Sequence, residues 1–137
     1  MAEVSNDLIW AISRSNSSYL VKRKAAGGLQ FSRDPLNVTG DYTLTHSGFA
    51  NSKAVGVVKG KDGNIQFLSK VQKNSHNPSK SVSVTTFKPY KSQRAVAAAV
   101  AKSTRGYRND LVKAAVVKAS ALTRTVKAKK VYPPKRR

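Results

Sequence analysis

Arg105, Arg108, Lys113, Lys118 and Arg124 fall within one stretch, RGYRNDLVKAAVVKASALTR, whose single acid is Asp110. Guanidinium and ammonium groups with so few carboxylate neighbours have one evident chemistry, the binding of anions, and guanidinium suits phosphate in particular. The same residue types recur at Lys22, Arg23 and Lys24, at Arg94, and in the terminal run KAKKVYPPKRR as Lys127, Lys129, Lys130, Lys135, Arg136 and Arg137. Lys plus Arg number 26 against 6 Asp plus Glu, a formal charge of +20 in 137 residues. Residues 1–62 hold 8 basic and 5 acidic residues, net +3, and residues 63–137 hold 18 and 1, net +17. Self-repulsion of that size destabilises a compact chain unless a polyanion neutralises it. Nucleic acid is the first candidate, since release of condensed counterions drives binding whatever the base sequence. An anionic membrane and acidic proteins come second and third.

Other chemistries find no set of residues to carry them. His46 and His76 stand thirty positions apart in turn-like or polar surroundings, no carboxylates cluster, and no serine lies in a G-x-S-x-G elbow. An enzyme is therefore not expected, nor a metal site, a cofactor or a small-molecule substrate. Without cysteine, disulfides and thiolate metal sites are excluded. GKDGN lacks the spacing and the Lys-Ser/Thr ending of a phosphate loop. Asn16-Ser17-Ser18 and Asn37-Val38-Thr39 match the glycosylation pattern. MAEVSNDLIW is acidic and has no long apolar run to act as a secretory signal, so both read as chance matches. No stretch of about 20 apolar residues could span a bilayer.

The elements that must position the cations make one modest domain, long enough to bury roughly two-thirds of its unfolded surface. Ser5 or Asn6 can cap a short helix over DLIWAIS, with Leu8, Ile9 and Ile12 as its apolar side. Trp10, the one tryptophan, reads as a core anchor, with base stacking as the alternative. SYLVKR, AAGG and LQFS predict a hairpin turning at Gly27 and Gly28, followed by a loop over FSRDPLNVTGDY. AVGVVKGKDGNIQFLSKV predicts a second hairpin around Asp62-Gly63. Gln72–Ser81 is a polar, basic loop without periodicity, and SVSVTTFK a further strand with Val82, Val84 and Thr86 on one face.

From Ser92 the pattern turns helical. SQRAVAAAVAKST carries Lys91, Arg94, Ala98 and Lys102 on one side, Val96 and Val100 on the other. Gly106 breaks this helix, and Asn109 or Asp110 can cap a second one with the apolar stripe Leu111–Ala115–Ala119–Leu122. Lys113, Ser120 and Arg124 align opposite that stripe with Lys127 close by, while Lys118 lies nearer its edge. Pro133-Pro134 forbids a helix in the tail. The expected fold is α+β: a small antiparallel β-hairpin sheet with a short N-terminal helix, two C-terminal helices and a basic C-terminal extension. Its parts are the hairpin-rich residues 1–90, an RNA-facing two-helix segment 91–126 of the same domain, and the extension 127–137.

The helix faces are mostly Ala and Val, which gain little from lipid, so no membrane partner is expected. AKKVYPPKRR is of the kind seen in chromatin tails, which keeps a chromatin- or nucleolus-associated nucleic-acid-binding protein as the alternative. Cations dispersed over hairpins, loop, helices and tail suit folded RNA, which is read by shape and backbone. Arg105, Tyr107 and Arg108 bracket a helix start whose N–H groups could add a phosphate contact. Phe87, Tyr90 and Tyr132 could stack on splayed bases or pack internally.

NDLIW, SSYLVKR, FSRDPLNVTG, HSGFANSKAVGV and YRNDLVKAAVVKASALTR together closely resemble the eukaryotic large-subunit ribosomal protein family numbered twenty-eight, in order and over almost the whole chain. The most specific pieces are NDLIW…YLVKR and the helix YR-x-DL-x-x-AA-x-x-x-A-S-A; the region Val58–Ser81 matches loosely. Asn109 stands where the family usually has Pro, and either residue suits a helix start. The chain also resembles the front of a longer, cysteine-containing nucleolar assembly factor. Ser32 stands where one of that factor's cysteines is expected, which favours the ribosomal protein. The resemblance implies a structural constituent of the cytosolic large (60S) subunit that supports translation without catalysis. Its partners would be large-subunit ribosomal RNA, met through dispersed Lys and Arg, and neighbouring ribosomal proteins. Nuclear and nucleolar passage would accompany assembly.

Overall fold

VGVVK and IQFLSK form the central hairpin of the molecule, β3 (Val55–Lys59) and β4 (Ile65–Lys70). Their antiparallel register sets Val57 against Phe67, and Gly63 turns the chain with φ 72, a conformation that costs glycine little. The connection is wider than a two-residue turn and is closed by the Gly60 N–H donating to Asn64 O at 2.8 Å. A third strand, β5 (Val82–Phe87), adds to the far side of β4 and pairs Phe87 with Ile65. Alternation then places Val55, Val57, Ile65, Phe67 and Phe87 on one face, and all five are buried.

Two helices cover that face, α2 (Gln93–Arg105) and α3 (Val112–Val126). Val96 and Val100 of α2, Leu111, and Ala115 and Ala119 of α3 join the sheet in one hydrophobic cluster, with Val38 from the preceding loop. Ser92 caps α2 by accepting from the Ala95 N–H at 3.2 Å. Each helix ends in a buried threonine whose hydroxyl donates to its own chain four residues back: Thr104 to Val100 O at 2.8 Å, Thr123 to Ala119 O at 2.7 Å. The buried stripe Leu111–Ala115–Ala119 is thus completed by Thr123, and Leu122, expected there, packs partly buried beside it. The expected side-chain caps at Asn109 and Asp110 do not form. Arg108 holds the cap position of a 3-10 turn, Asn109–Leu111, that leads into α3 without a side-chain cap bond.

Val82, Val84 and Thr86 do share a face, but it is the outer one. β5 is an edge strand, and Val84 is 52% exposed. Nearer β3 the outer face is crossed by the loop at Asp34-Pro35. A Cβ on Gly56 would lie 1.9 Å from the Pro35 carbonyl oxygen, so only glycine lets the two backbones meet. Asp34 folds that loop by accepting from the Leu36 and Gly48 N–H groups, both at 2.8 Å. The expected loop Gln72–Ser81 is ordered as two 3-10 turns, Gln72–Asn74 and Pro78–Lys80, closed by the Val71 N–H donating to Ser81 O at 2.7 Å.

The N-terminal elements stand apart from this core. α1 (Asn6–Ser13) starts at Ser5, which accepts from the Leu8 N–H at 3.3 Å. β1 (Leu20–Arg23) and β2 (Leu29–Ser32) form a separate two-stranded sheet turning at Gly27 and Gly28. α1 buries no residue: Leu8 and Ile12, expected on a core-facing side, are 52% and 69% exposed. Trp10 is not a core anchor either. Its half-exposed ring lies against Tyr42, with centroids 5.0 Å apart and planes inclined at 41°. The architecture is α+β. This computed structural model describes residues 4–126.

Candidate nucleic-acid interface

The core just described sorts the cations into two groups. All but three of the described Lys and Arg side chains are exposed; Lys70, Arg108 and Lys118 are turned inward. Each of the three donates to backbone carbonyls, part-buried ones at Lys70 and Lys118 and exposed ones at Arg108. Lys70 Nζ reaches Asn51 O at 2.7 Å and Gly48 O at 3.0 Å. Lys118 Nζ reaches Asn37 O at 2.9 Å, fastening α3 to the loop whose Asn37 side chain is itself 2% exposed. Burial holds both ammonium groups below the usual lysine range, and the negative charge of Asp34 partly offsets this at Lys70.

Arg108 is the most fully engaged. Its guanidinium donates to Lys53 O at 2.8 Å, to Thr45 O at 3.0 Å, and to the Asp110 carboxylate through Nε at 2.9 Å and a terminal nitrogen at 2.6 Å. That hydrogen-bonded pair pushes the Asp110 carboxyl below the usual carboxylate range and raises Arg108 further. Next to it Tyr107 donates its hydroxyl to Lys70 O at 2.5 Å and accepts from the Ala54 N–H at 3.2 Å, and burial raises its phenol above the ordinary value. Arg108 and Tyr107 thus bolt the start of α3 to the sheet and the loop before it. Their donors are committed within the chain.

The other predicted contacts lie on the surface. Arg94, Ala98, Lys102 and Arg105 form an exposed row along α2. Lys113, Val117, Ala121 and Arg124 form one along α3, with its cations separated by eleven residues, roughly 16 Å of helix. Only Ala98 in the α2 row, and Val117 and Ala121 in the α3 row, stand between the charges, so a backbone phosphate can come close to the helix. Lys22, Arg23 and Lys24 stand exposed at the end of β1 and the turn after it. Lys127, Lys129, Lys130, Lys135, Arg136 and Arg137, with Tyr132, lie outside the described residues. The described residues contain a single ion pair, Arg108 with Asp110, so the surface rows have no internal counter-charge.

Two further groups bear on the surface: the aromatics Phe87 and Tyr90, which the sequence offered for base stacking, and Arg14, which sequence reasoning did not single out. At the corner between β5 and α2, Tyr90 is 76% exposed with the Lys88 Nζ 5.9 Å from its ring centre; Lys91 lies 5.9 Å from the ring of Phe87. Phe87 itself is core. The spacing Lys-Pro-Tyr-Lys carried that signal. Arg14 stands exposed beside Lys22 in a cleft with Trp10 and Tyr42; no local pattern could have joined residues so far apart. Among the described residues no three His, Asp or Glu side chains gather as a metal site requires, and no helix is long and apolar enough to cross a membrane.

Residues 8–125, from α1 to the end of α3, match the model of the Ribosomal L28e protein family. The large ribosomal subunit protein eL28 of Schizosaccharomyces pombe is 40% identical over 134 residues, covering 93% of this chain and 96% of that protein. The protein of the same name from Trypanosoma cruzi is 40% identical over 74 residues, 54% of this chain and 48% of its own. That from Dictyostelium discoideum is 32% identical over 84 residues, 61% of each. A match running through both the exposed N-terminal elements and the helix-covered sheet means that the chain belongs to the Ribosomal L28e protein family.

Proposed function

We propose that this protein is a constituent of the cytosolic large ribosomal subunit, where its exposed cations hold folded ribosomal RNA and its surface packs beside neighbouring ribosomal proteins. It supports translation as a scaffold, without catalysis, and passes through the nucleus and nucleolus during assembly. The observation that carries this reading is the sorting of the cations. Three are spent on the chain's own carbonyls, and all the other described Lys and Arg side chains project into solvent without an ion pair among the described residues. A surface of that kind is stabilised by a polyanion whose counterions it displaces. The two rows on α2 and α3, with the extension 127–137 beyond them, are the RNA-facing segment in this reading. Arg108 and Lys118 support it from within, by positioning α3.

The test follows from that sorting. Arg105→Glu, Lys113→Glu and Arg124→Glu combined should reduce incorporation into large subunits, measured by co-sedimentation through a moderate salt wash, with helix content by circular dichroism unchanged. Wild-type incorporation of the triple variant would sink the proposed role of the two rows. With about ten phosphates neutralised, RNA affinity should fall with salt at a log–log slope of roughly −7 to −9.

A further inference from the structure

Between the C-terminal end of α1 and the β1–β2 hairpin lies an open cleft of about 370 Å³ lined by Trp10, Arg14, Ser15, Lys22, Gln30 and Tyr42. No carboxylate lines it. Tyr42 is held in place on two sides: its hydroxyl donates to Ser13 O at 3.2 Å, and its backbone N–H to Gln30 O at 3.3 Å. Its ring in turn supports Trp10 at 5.0 Å. The inclination of 41° keeps the two rings from closing face to face. Lys22 and Gln30 are direct partners across the hairpin and so share one of its faces. Among the described residues the side chains of Arg14, Lys22 and Gln30 make no hydrogen bond or ion pair.

We propose that this cleft binds one unpaired RNA nucleotide. Trp10 offers its half-exposed ring for a base to stack on. Arg14 and Lys22 supply charge for the adjoining phosphates, and the Gln30 carboxamide has both a donor and an acceptor for a base edge. A fully apolar occupant would strand the two cations, and a bare phosphate would leave the indole unused. The cleft lies on α1 and the first hairpin, elements separate from the α2 and α3 rows. It gives the chain a single-strand contact besides its contacts with folded backbone. This inference rests on the reading of the chain as an RNA binder.

Because the chain has one tryptophan, its emission reports on this cleft alone. The full chain is titrated with hexa-adenylate, with a blunt RNA duplex, with heparin and with poly-glutamate at one salt concentration, following tryptophan emission and the anisotropy of labelled RNA. Hexa-adenylate should quench Trp10 saturably, while duplex and heparin bind with emission unchanged. Trp10→Ala should weaken hexa-adenylate binding roughly 5- to 150-fold, the size of one stacked base, and Lys22→Ala with Gln30→Ala should weaken it in the same direction. Trp10→Ala should keep duplex affinity within about twofold, and both variants should keep the unfolding midpoint of the parent, since α1 buries nothing. Single strands that bind without quenching overturn the cleft while leaving the RNA reading intact. Equal quenching by poly-glutamate gives the cleft to an acidic protein segment and overturns the nucleotide. Binding of neither RNA form overturns both readings together.

Discussion

The most apolar helix of the molecule is the one that buries nothing. α1 sets Leu8, Ile9, Trp10 and Ile12 within eight residues, whereas α2 and α3 are largely alanine and valine interrupted by lysine and arginine. Yet every described buried residue lies between Asn37 and Thr123, and none in α1, β1 or β2. Residues 4–36 are joined to the rest by polar and aromatic contacts such as Tyr42 to Ser13 and Trp10. Residues 37–126 are joined to one another by a core. In this chain burial follows from faces that match across several elements. Alternation on three strands meets a period of 3.6 on two helices, and the small residues Ala115 and Ala119 let α3 come close. An eight-residue helix and a two-stranded hairpin have no such opposing face, however apolar they are.

The sharpest way to break this comparison is to truncate an apolar side chain in each region. Phe67→Ala should cost about 3–5 kcal/mol in urea denaturation, whereas Leu8→Ala should stay within about 0.5 kcal/mol. Comparable losses would mean that the N-terminal elements share the core after all. A smaller effect is expected where the loop meets β3. Gly56→Ala puts a methyl group where the Pro35 carbonyl lies and should cost about 1–3 kcal/mol, read as a lower thermal midpoint.

The division of the cations can be sharpened in the same manner. Arg108→Ala leaves the Thr45 and Lys53 carbonyls and Asp110 without their donor and should cost about 1–3 kcal/mol. Arg105→Ala should leave stability within about 0.5 kcal/mol while weakening RNA binding. A reversal of these two outcomes would exchange their roles.

The smallest effect is on acid stability. The folded Asp110 carboxyl sits below its unfolded value because Arg108 holds the charged form. Between the two values the unfolded chain binds more protons. The pair's contribution is therefore complete above the ordinary carboxylate value of about 3.9 and is lost as pH falls through the folded value. Denaturation midpoints measured from pH 7 to pH 3 should fall at the acid end, and in Arg108→Ala part of that fall should vanish.

Much of the fold was legible because its signals are local. Asp62-Gly63 announces a hairpin whatever surrounds it, Ser92 announces a helix start, and the alternation of Val82, Val84 and Thr86 announces a shared face. The expectations that failed turned on which partner a side chain meets, which its own chemistry does not fix. Apolar spacing in α1 says which side would be buried but not that anything covers it. Asn109 and Asp110 have the right chemistry for a cap, but Asp110 is drawn into its pair with Arg108.

What sequence alone determined about this protein is therefore additive or local: the net charge, the element order, the faces of strands and helices, and the motifs shared with the family. Tertiary structure decided which positive charges remain available. Lys113 and Lys118 are the same residue type on one helix, five positions apart, and both read as phosphate contacts. The fold brings Asn37 O, 81 residues away in the chain, to the ammonium of Lys118 and leaves that of Lys113 in water. Likewise Thr45 O, 63 residues from Arg108, takes up a guanidinium that local spacing aims at RNA. A carbonyl accepts from whichever donor the fold brings within reach, and folding selects which nearby cation that is; no pattern along the chain records that choice.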